Sequence, residues 1–294
     1  MYRPLQILAE TGISAYESSF TALDAYLCVK PAPISFAITF CALQDLAKSF
    51  DELGYPGMYY ADAALGPKSE SEAGTEDTGA LYLRCADSPK TAEAAAFAQL
   101  DLLRDPGRDV FLDPKDVYSS LREKVAQMRD APPEQQLFEA AVLVSRYPYE
   151  LNPEVRHPLP RDFGVEAQRD MLSLMLTGLT PGRGLELLRK AGFVDAYWPE
   201  LASLVGIDQS KEYHPEGDAW AHTLETFRYR KIPALGLSLA LLLHDAGKPR
   251  AEQAEGRKFD RHAEIGRSVA ERFLARLGFP VLSSVMSPSS CATT

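Results

Sequence analysis

Five histidines occur in the chain, and four of them, His214, His222, His244 and His262, crowd into residues 214–262. His244 stands directly before Asp245 at the end of an apolar run, LALLLHDAGKP at residues 239–249, which also carries Lys248. Neutral imidazole nitrogen and carboxylate oxygen suit borderline or hard divalent ions, so His222, His244 and Asp245 are the expected ligands of one metal site. An ion at the rim of an apolar core meets solvent on one side and a dry wall on the other, and there it acidifies water toward neutrality. Lys248 is placed to steady a phosphate oxygen or the charge that builds on it. The plainer alternatives are a half-buried structural histidine at 222 and a helix-terminal acid at 245. A helix C-terminus repels a carboxylate unless a cation sits nearby, which weighs against the second of these. His214, in EYHPEGD, reads as a loop residue fixing a turn before Pro215, and His157 stands apart from the group.

Three helices have to deliver these side chains. DAWAHTLETFRYR (218–230) carries His222, IPALGLSLALLLHDAG (232–247) ends on His244 and Asp245, and DRHAEIGRSVAERFLARLG (260–278) opens with His262. Gly247 and Pro249 are expected to prevent the second helix from continuing. Asp260 is the expected N-cap of the third, with Ile265, Val269, Phe273 and Leu277 as its apolar stripe and Gly278 and Pro280 as its stop. Further helices are expected at 115–129, 132–147, 165–178, 182–192 and 199–206, and glycines at 178, 192, 206 and 247 should each stop one. Before residue 116 the pattern is mixed. PISFAITF (33–40) reads as a strand and CALQDLAKSFDELG (41–54) as a helix closed by Gly54. GMYYADAAL (57–65) and ALYLRCA (80–86) are strand-like and flank a polar, flexible loop at 66–79, and RDVFLDP (108–114) is a short strand. The fold class is therefore α+β, a small mixed α/β unit followed by helices.

Composition narrows the function classes. A chain of 294 residues is long enough for two domains, or for one large one with an appendage, and its apolar fraction of 46% is ordinary for a protein that buries a real core. No apolar run is long enough to span a bilayer, and the start, MYRPLQILAETG, does not read as a signal peptide. The four cysteines form no C-x-x-C pair, so a disulfide framework or cysteine zinc site is not expected, and the thiols fit a reducing, cytoplasmic setting. Residues 1–150 carry 13 Lys and Arg against 23 Asp and Glu, whereas 151–294 carry 18 of each. Phosphate contacts come mainly from Lys and Arg, so a nucleic-acid footprint belongs in the second half. RYRK at 228–231 is one candidate, with a solvated helix end as the plainer reading.

Three segments together, 191–227, LLLHDAGKP (241–249) and FDRHAEIGRSVAERFLARLGFP (259–280), resemble the HD-domain part of bacterial tRNA nucleotidyltransferases, the CCA-adding enzymes of the poly(A) polymerase family. HPEGDAWAHT followed by LLHDAGKP carries most of that likeness. Residues 97–125 are similar to the end of the family's nucleotidyltransferase head, and 137–155 and 167–192 to its neck. The resemblance implies a degenerate nucleotidyltransferase-like head (1–115), a helical neck (116–200), an incomplete HD domain (201–280), and a disordered or aberrant tail (281–294). It implies His222, His244 and Asp245 as metal ligands, with Lys248 beside them, His262 as an additional ligand or proton donor, and Arg261 on the substrate phosphate. The ion implied is divalent: magnesium, manganese, nickel, iron or zinc.

Other family motifs are missing. The first hundred residues contain no Gly-Gly for the G-G-x-x-R-D turn, and the D-x-D pair is reduced to Asp24 with Tyr26. AEAAAFAQLDLL (92–103) lacks the arginines of R-R-D-F-x-x-N-A, and EQQLFEA (134–140) replaces E-D-x-x-R. One carboxylate does not hold two magnesium ions against their hydration. The closing Asp of an H…HD…D set is absent from VLSSVMSPSSCATT, so Glu264, Asp260 or His262 would have to substitute. The expectation is an RNA-processing protein whose HD domain is a metal-dependent phosphohydrolase or phosphodiesterase on nucleotides or tRNA-like RNA ends, with nucleotidyl transfer lost. The alternatives are an active CCA-adding enzyme and a non-catalytic RNA-binding module.

Overall fold

The apolar run expected as a strand at 33–40 forms β2 (Ser35–Thr39), and all five of its residues are buried. A strand covered on both faces loses the usual alternation with polar residues, which is why this segment reads as continuous hydrophobicity. The computed structural model describes residues 3–50, 53–66, 79–152, 158–207, 217–252 and 261–279. His157, His214, Asp260, most of the 66–79 loop and the 281–294 tail lie outside the described residues. The chain divides into two compact units, residues 1–139 with 148–155, and residues 140–147 with 156–294.

In the first unit α1 (Arg3–Glu10), β1 (Ala15–Glu17) and α2 (Ser19–Tyr26) precede β2, and α3 (Leu43–Ser49), β3 (Ala63–Leu65), β4 (Leu81–Cys85), β5 (Leu103–Asp105) and β6 (Val110–Leu112) follow it. They build one mixed sheet in the order β3-β4-β2-β1-β5-β6. Among the described strands of this sheet only β2 and β4 pair in parallel, with Ser35 opposite Leu81 and Thr39 opposite Cys85. One face carries Ala37, Leu81 and Leu83 with Leu5, Leu8, Leu46 and Ala63. The other carries an aromatic layer in which Tyr60 lies 4.9 Å from Phe138 and 5.4 Å from Tyr82, and Phe36 5.8 Å from Phe20. Strand periodicity of two therefore sends Ala37 to one core and Phe36 to the other.

Two expected helices are shorter than their sequence patterns. The 41–54 helix ends at Ser49, and Gly54 instead exchanges two 2.9 Å backbone hydrogen bonds with Ala64. Of 115–129, only α4 (Tyr118–Arg122) is helical; β7 (Val125–Ala126) then pairs with β8 (Glu150–Leu151), and Arg129 donates its backbone N–H to Ala96. Non-local backbone partners overrode an amphipathic pattern that is only a weak preference by itself.

α5 (Pro133–Arg146) brings Glu139 into the first unit at 4% exposure. Its Oε2 accepts the backbone N–H groups of Ala96 and Phe97 at 2.8 and 3.3 Å, and its Oε1 accepts Gln135 Nε2 at 2.9 Å. The carboxyl thus anchors the irregular segment that leads into β5.

The described residues of the second unit beyond α5 form α6 (Val165–Leu176), α7 (Pro181–Lys190), α8 (Phe193–Tyr197), α9 (Pro199–Ala202), α10 (Ala219–Thr226), α11 (Leu235–Leu243), α12 (Lys248–Glu252) and α13 (His262–Arg276). Trp198, fully buried, donates Nε1 to Gln168 and packs edge-on to Phe193 and Phe273. Gly192 stops α7 with φ +79, as expected, whereas Gly206, also at φ +79, closes a turn after α9 has already ended at Ala202. Gly178 has a different reason: a Cβ there would overlap the Ser145 carbonyl. No helix among the described residues is long and apolar enough to cross a membrane.

Burial pushes the Glu139 carboxyl up to about 8, against the hydrogen bonds that favour its ionised form. The folded unit then keeps a proton that the unfolded chain releases above about 4.5, so stability declines as pH rises from 4.5 toward 8. Urea midpoints taken across that window should fall for the wild type, and Glu139→Gln should flatten the fall.

Candidate metal centre

Asp218 sets where α10 begins. Its Oδ1 accepts Ala221 N–H at 2.9 Å while its Oδ2 accepts Gly206 N–H at 2.7 Å, so one side chain caps the helix and holds the preceding turn. Trp220 and Thr223 then turn inward, Trp220 donating to Glu186 at 3.2 Å and Thr223 to the Ala219 carbonyl. This rotation leaves His222 on the flank of α10, half-buried.

α11 ends at Leu243, and residues 244–247 make a tight turn. Gly247 and Pro249 are expected to prevent the helix from continuing, and α11 does end at Leu243, but a new helix, α12, begins at Lys248 with Pro249 in its first turn, where a missing N–H costs nothing. Gly247 is required for another reason. A Cβ at 247 would overlap the His262 carbonyl and crowd Gly266, so the first turn of α13 lies backbone to backbone on the His-Asp turn.

The result is a convergence of three ligand atoms, one each from His222, His244 and Asp245, all within 4.8 Å of one another. His244 Nε2 lies 3.3 Å and His222 Nε2 4.0 Å from Asp245 Oδ2. The Leu241 carbonyl, 2.7 Å from His244 Nδ1, accepts the hydrogen bond of that N–H and leaves Nε2 aimed at the carboxylate. Asp245 is 2% exposed, and Lys248 Nζ meets its Oδ2 at 2.7 Å. Burial alone raises the Asp245 carboxyl, but His244 and Lys248 hold it down at about 2. Burial opposes charge on His244, yet the bond to Asp245 outweighs it and raises this imidazole.

Lone pairs from three ligands facing one another repel unless a proton or a cation lies between them. Ligand bonds of about 2.0–2.2 Å put neighbouring ligand atoms roughly 3–4 Å apart, and the 3.3 and 4.0 Å separations of the two imidazoles from Asp245 Oδ2 fall in that range. The donor chemistry fits as well, and three protein ligands leave coordination positions open.

The remaining expected groups are placed differently. Lys248 joins the site through Asp245. Arg261 holds Glu264 through Nε and Nη2 at 2.8 and 2.7 Å on the surface, which engages two residues expected on the ion or the substrate. Arg261 is also the residue before α13, with φ 58, the position expected for Asp260. His262 opens α13 with its carbonyl against Gly247, and it is not among the three clustered ligands. In RYRK, Arg230 turns inward to the carbonyls of Leu176 and Gly178 at the end of α6 and to Ser238, and Arg228 pairs with Glu225. Asp24 lies in α2 at 3% exposure, with Oδ2 accepting the Ala32 N–H. Sequence reasoning missed Gly266, although a lone glycine inside a helical pattern signals close packing, and missed Leu241, whose role is a backbone carbonyl with no side-chain signal.

No protein-family model matches the chain. It is 38% identical over 103 residues to the multifunctional CCA protein of Halorhodospira halophila, covering 34% of this chain and 25% of that protein. It is 37% identical over 124 residues to the CC-adding tRNA nucleotidyltransferase of Thermus thermophilus, covering 39% and 28% respectively. A multifunctional CCA protein of Neisseria gonorrhoeae is 42% identical over 72 residues, 23% of this chain and 17% of that one. The chain thus spans about a quarter of the length of the curated relatives it matches. The solved CCA-adding enzyme of Bacillus stearothermophilus in complex with CTP aligns over 97% of this chain and 70% of its own, at 18% identity and a TM-score of 0.48, too loosely to support an argument.

Gly247→Ala should cost about 3 kcal/mol or more of stability, because backbone rather than a movable side chain meets the new methyl group. Gly266→Ala, whose methyl would sit 3.2 Å from Gly247 N, should cost clearly less, and paired urea titrations would read the difference.

Proposed function

We propose, on the premise that the chain is related to the CCA-adding tRNA nucleotidyltransferases, that residues 201–280 form an HD-type metal-dependent phosphohydrolase or phosphodiesterase acting on nucleotides or RNA ends. The observation that supports this most directly is the convergence of His222, His244 and Asp245 within 4.8 Å. These three would hold a divalent ion, and two imidazoles favour manganese, iron, nickel or zinc over magnesium. Such an ion supplies an acidified water near neutral pH. Lys248 balances the charge of Asp245 and keeps a positive group beside the reacting phosphate. Arg261 can turn to a phosphate at small cost, since exposed ion pairs like its bond to Glu264 are worth about 0–1 kcal/mol. His262, at the start of α13, is the candidate donor of a proton to the leaving oxygen.

Residues 1–115 would keep a head-like fold without nucleotidyl transfer. The buried Asp24, bonded to Ala32, supports that reading, because a carboxylate engaged inside a helix does not reach an ion at a strand turn. Active nucleotidyl transfer is the second reading, supported by the names of the relatives.

Two assays separate them. With manganese, nickel or magnesium, the protein should hydrolyse a chromogenic phosphodiester, and His244→Ala should reduce turnover by about 100-fold or more while weakening metal uptake in calorimetry at least about tenfold. No turnover with any ion, together with no metal uptake, sinks the hydrolase reading. Incorporation of labelled CTP or ATP into a truncated tRNA would establish the second.

A further inference from the structure

The segment after His222 carries a surface that the metal centre does not use. α10 passes into a short 3-10 turn, Phe227–Tyr229, and the side chains of this stretch separate sharply into inner and outer sets. Phe227 is buried, and the Arg230 guanidinium lies 5.8 Å over its ring while bonding Leu176, Gly178 and Ser238. Arg228, Tyr229, Lys231 and Ile232 face out. Tyr229 is 77% exposed, the largest value among the described exposed apolar residues, and Ile232 is 60% exposed. The turn is therefore held from inside by Phe227 and Arg230 while it presents an aromatic ring between two cations.

We propose that Tyr229 is a stacking platform for a base near the unpaired end of a polynucleotide, with Lys231 and Arg228 on the flanking phosphates. Charge complementarity selects this occupant over an apolar protein surface. Two cations of this stretch, Arg228 and Lys231, face out, and Glu225 is bonded to the first of them. An aromatic face next to cationic side chains is what sequence-tolerant single-strand binding requires, and Tyr pays little conformational entropy there because the turn is already fixed. Position matters too. Tyr229 follows His222 by seven residues, or about two turns, which places it on the same side of the segment and about 12 Å along it. At roughly 3.4 Å per stacked nucleotide, a strand seated on Tyr229 would bring a phosphate three or four nucleotides away to the His222, His244 and Asp245 cluster. The inference rests on the nucleic-acid-end reading of that site and adds where the strand is held.

Binding can be read without turnover. A short fluorescein-labelled single-stranded oligoribonucleotide of mixed sequence, titrated in chelator and followed by polarisation, should bind wild type. Tyr229→Ala should weaken it about tenfold and Tyr229→Phe by less than about twofold, since the ring and not the hydroxyl does the stacking. Lys231→Ala should reduce the slope of log affinity against log salt by about 0.7. Thermal melting should not change in any variant, because these side chains lie outside the core. Absence of RNA binding by wild type, or equal affinity for wild type and Tyr229→Ala, overturns the proposal. So does a dimer, seen in sedimentation, that Tyr229→Ala dissolves, because the ring would then serve a second copy of the chain. If phosphodiester turnover is absent while Tyr229-dependent binding remains, the hydrolase reading fails and this one stands; the reverse result separates them the other way.

Discussion

A carboxylate at 2% exposure beside an apolar helix is tolerated only when its charge is answered at close range. Asp245 is answered by Lys248 at 2.7 Å and His244 at 3.3 Å, with His222 at 4.0 Å. The local architecture serves that compensation. Asp218 fixes the start of α10, and the inward turn of Trp220 and Thr223 sets the angle at which His222 arrives. The Leu241 carbonyl chooses which nitrogen of His244 faces the carboxylate. Lys248 lies one turn past Asp245 because α12 restarts there. Remove the buried charge and none of these placements has a common purpose.

The first unit solves a different problem. Its central strand β2 and the first three residues of β4 are buried, so one sheet must satisfy an aliphatic layer and an aromatic layer together. The acidic residues of this half that lie inside are spent on structure. Glu139 holds two backbone N–H groups of the segment before β5, Asp24 holds the loop before β2, and Asp101 binds Lys115 and Arg129. The negative balance of residues 1–150 therefore coexists with interior carboxylates that are each engaged.

Much of this was legible in the sequence where a single local rule decided the outcome. β4, α5, α6 and α13 follow from periodicity, β2 from an unbroken apolar run, and the approach of His222 to His244 and Asp245 from residue type and helix order. Where a distant partner decided, the pattern misled. The 115–129 stretch has a helical rhythm, but β8 and Ala96 captured its second half. RYRK has the charge of a surface patch, but Arg230 is drawn in by the carbonyl ends of α6, which no sequence window contains. Gly178 and Gly247 were legible as glycines and illegible in purpose, since close approach and left-handed backbone leave the same letter.

The contact of Gly247 with His262 and Gly266 also bears on how such a site can be transplanted. Copying His222, His244 and Asp245 into another helical scaffold would not reproduce their convergence, because the donor motif occupies a groove only as deep as bare backbone permits. A recipient would need an adjoining helix whose entry turn is equally unclothed. The two glycines, though they bind nothing, are the dimension to which any graft would have to be cut.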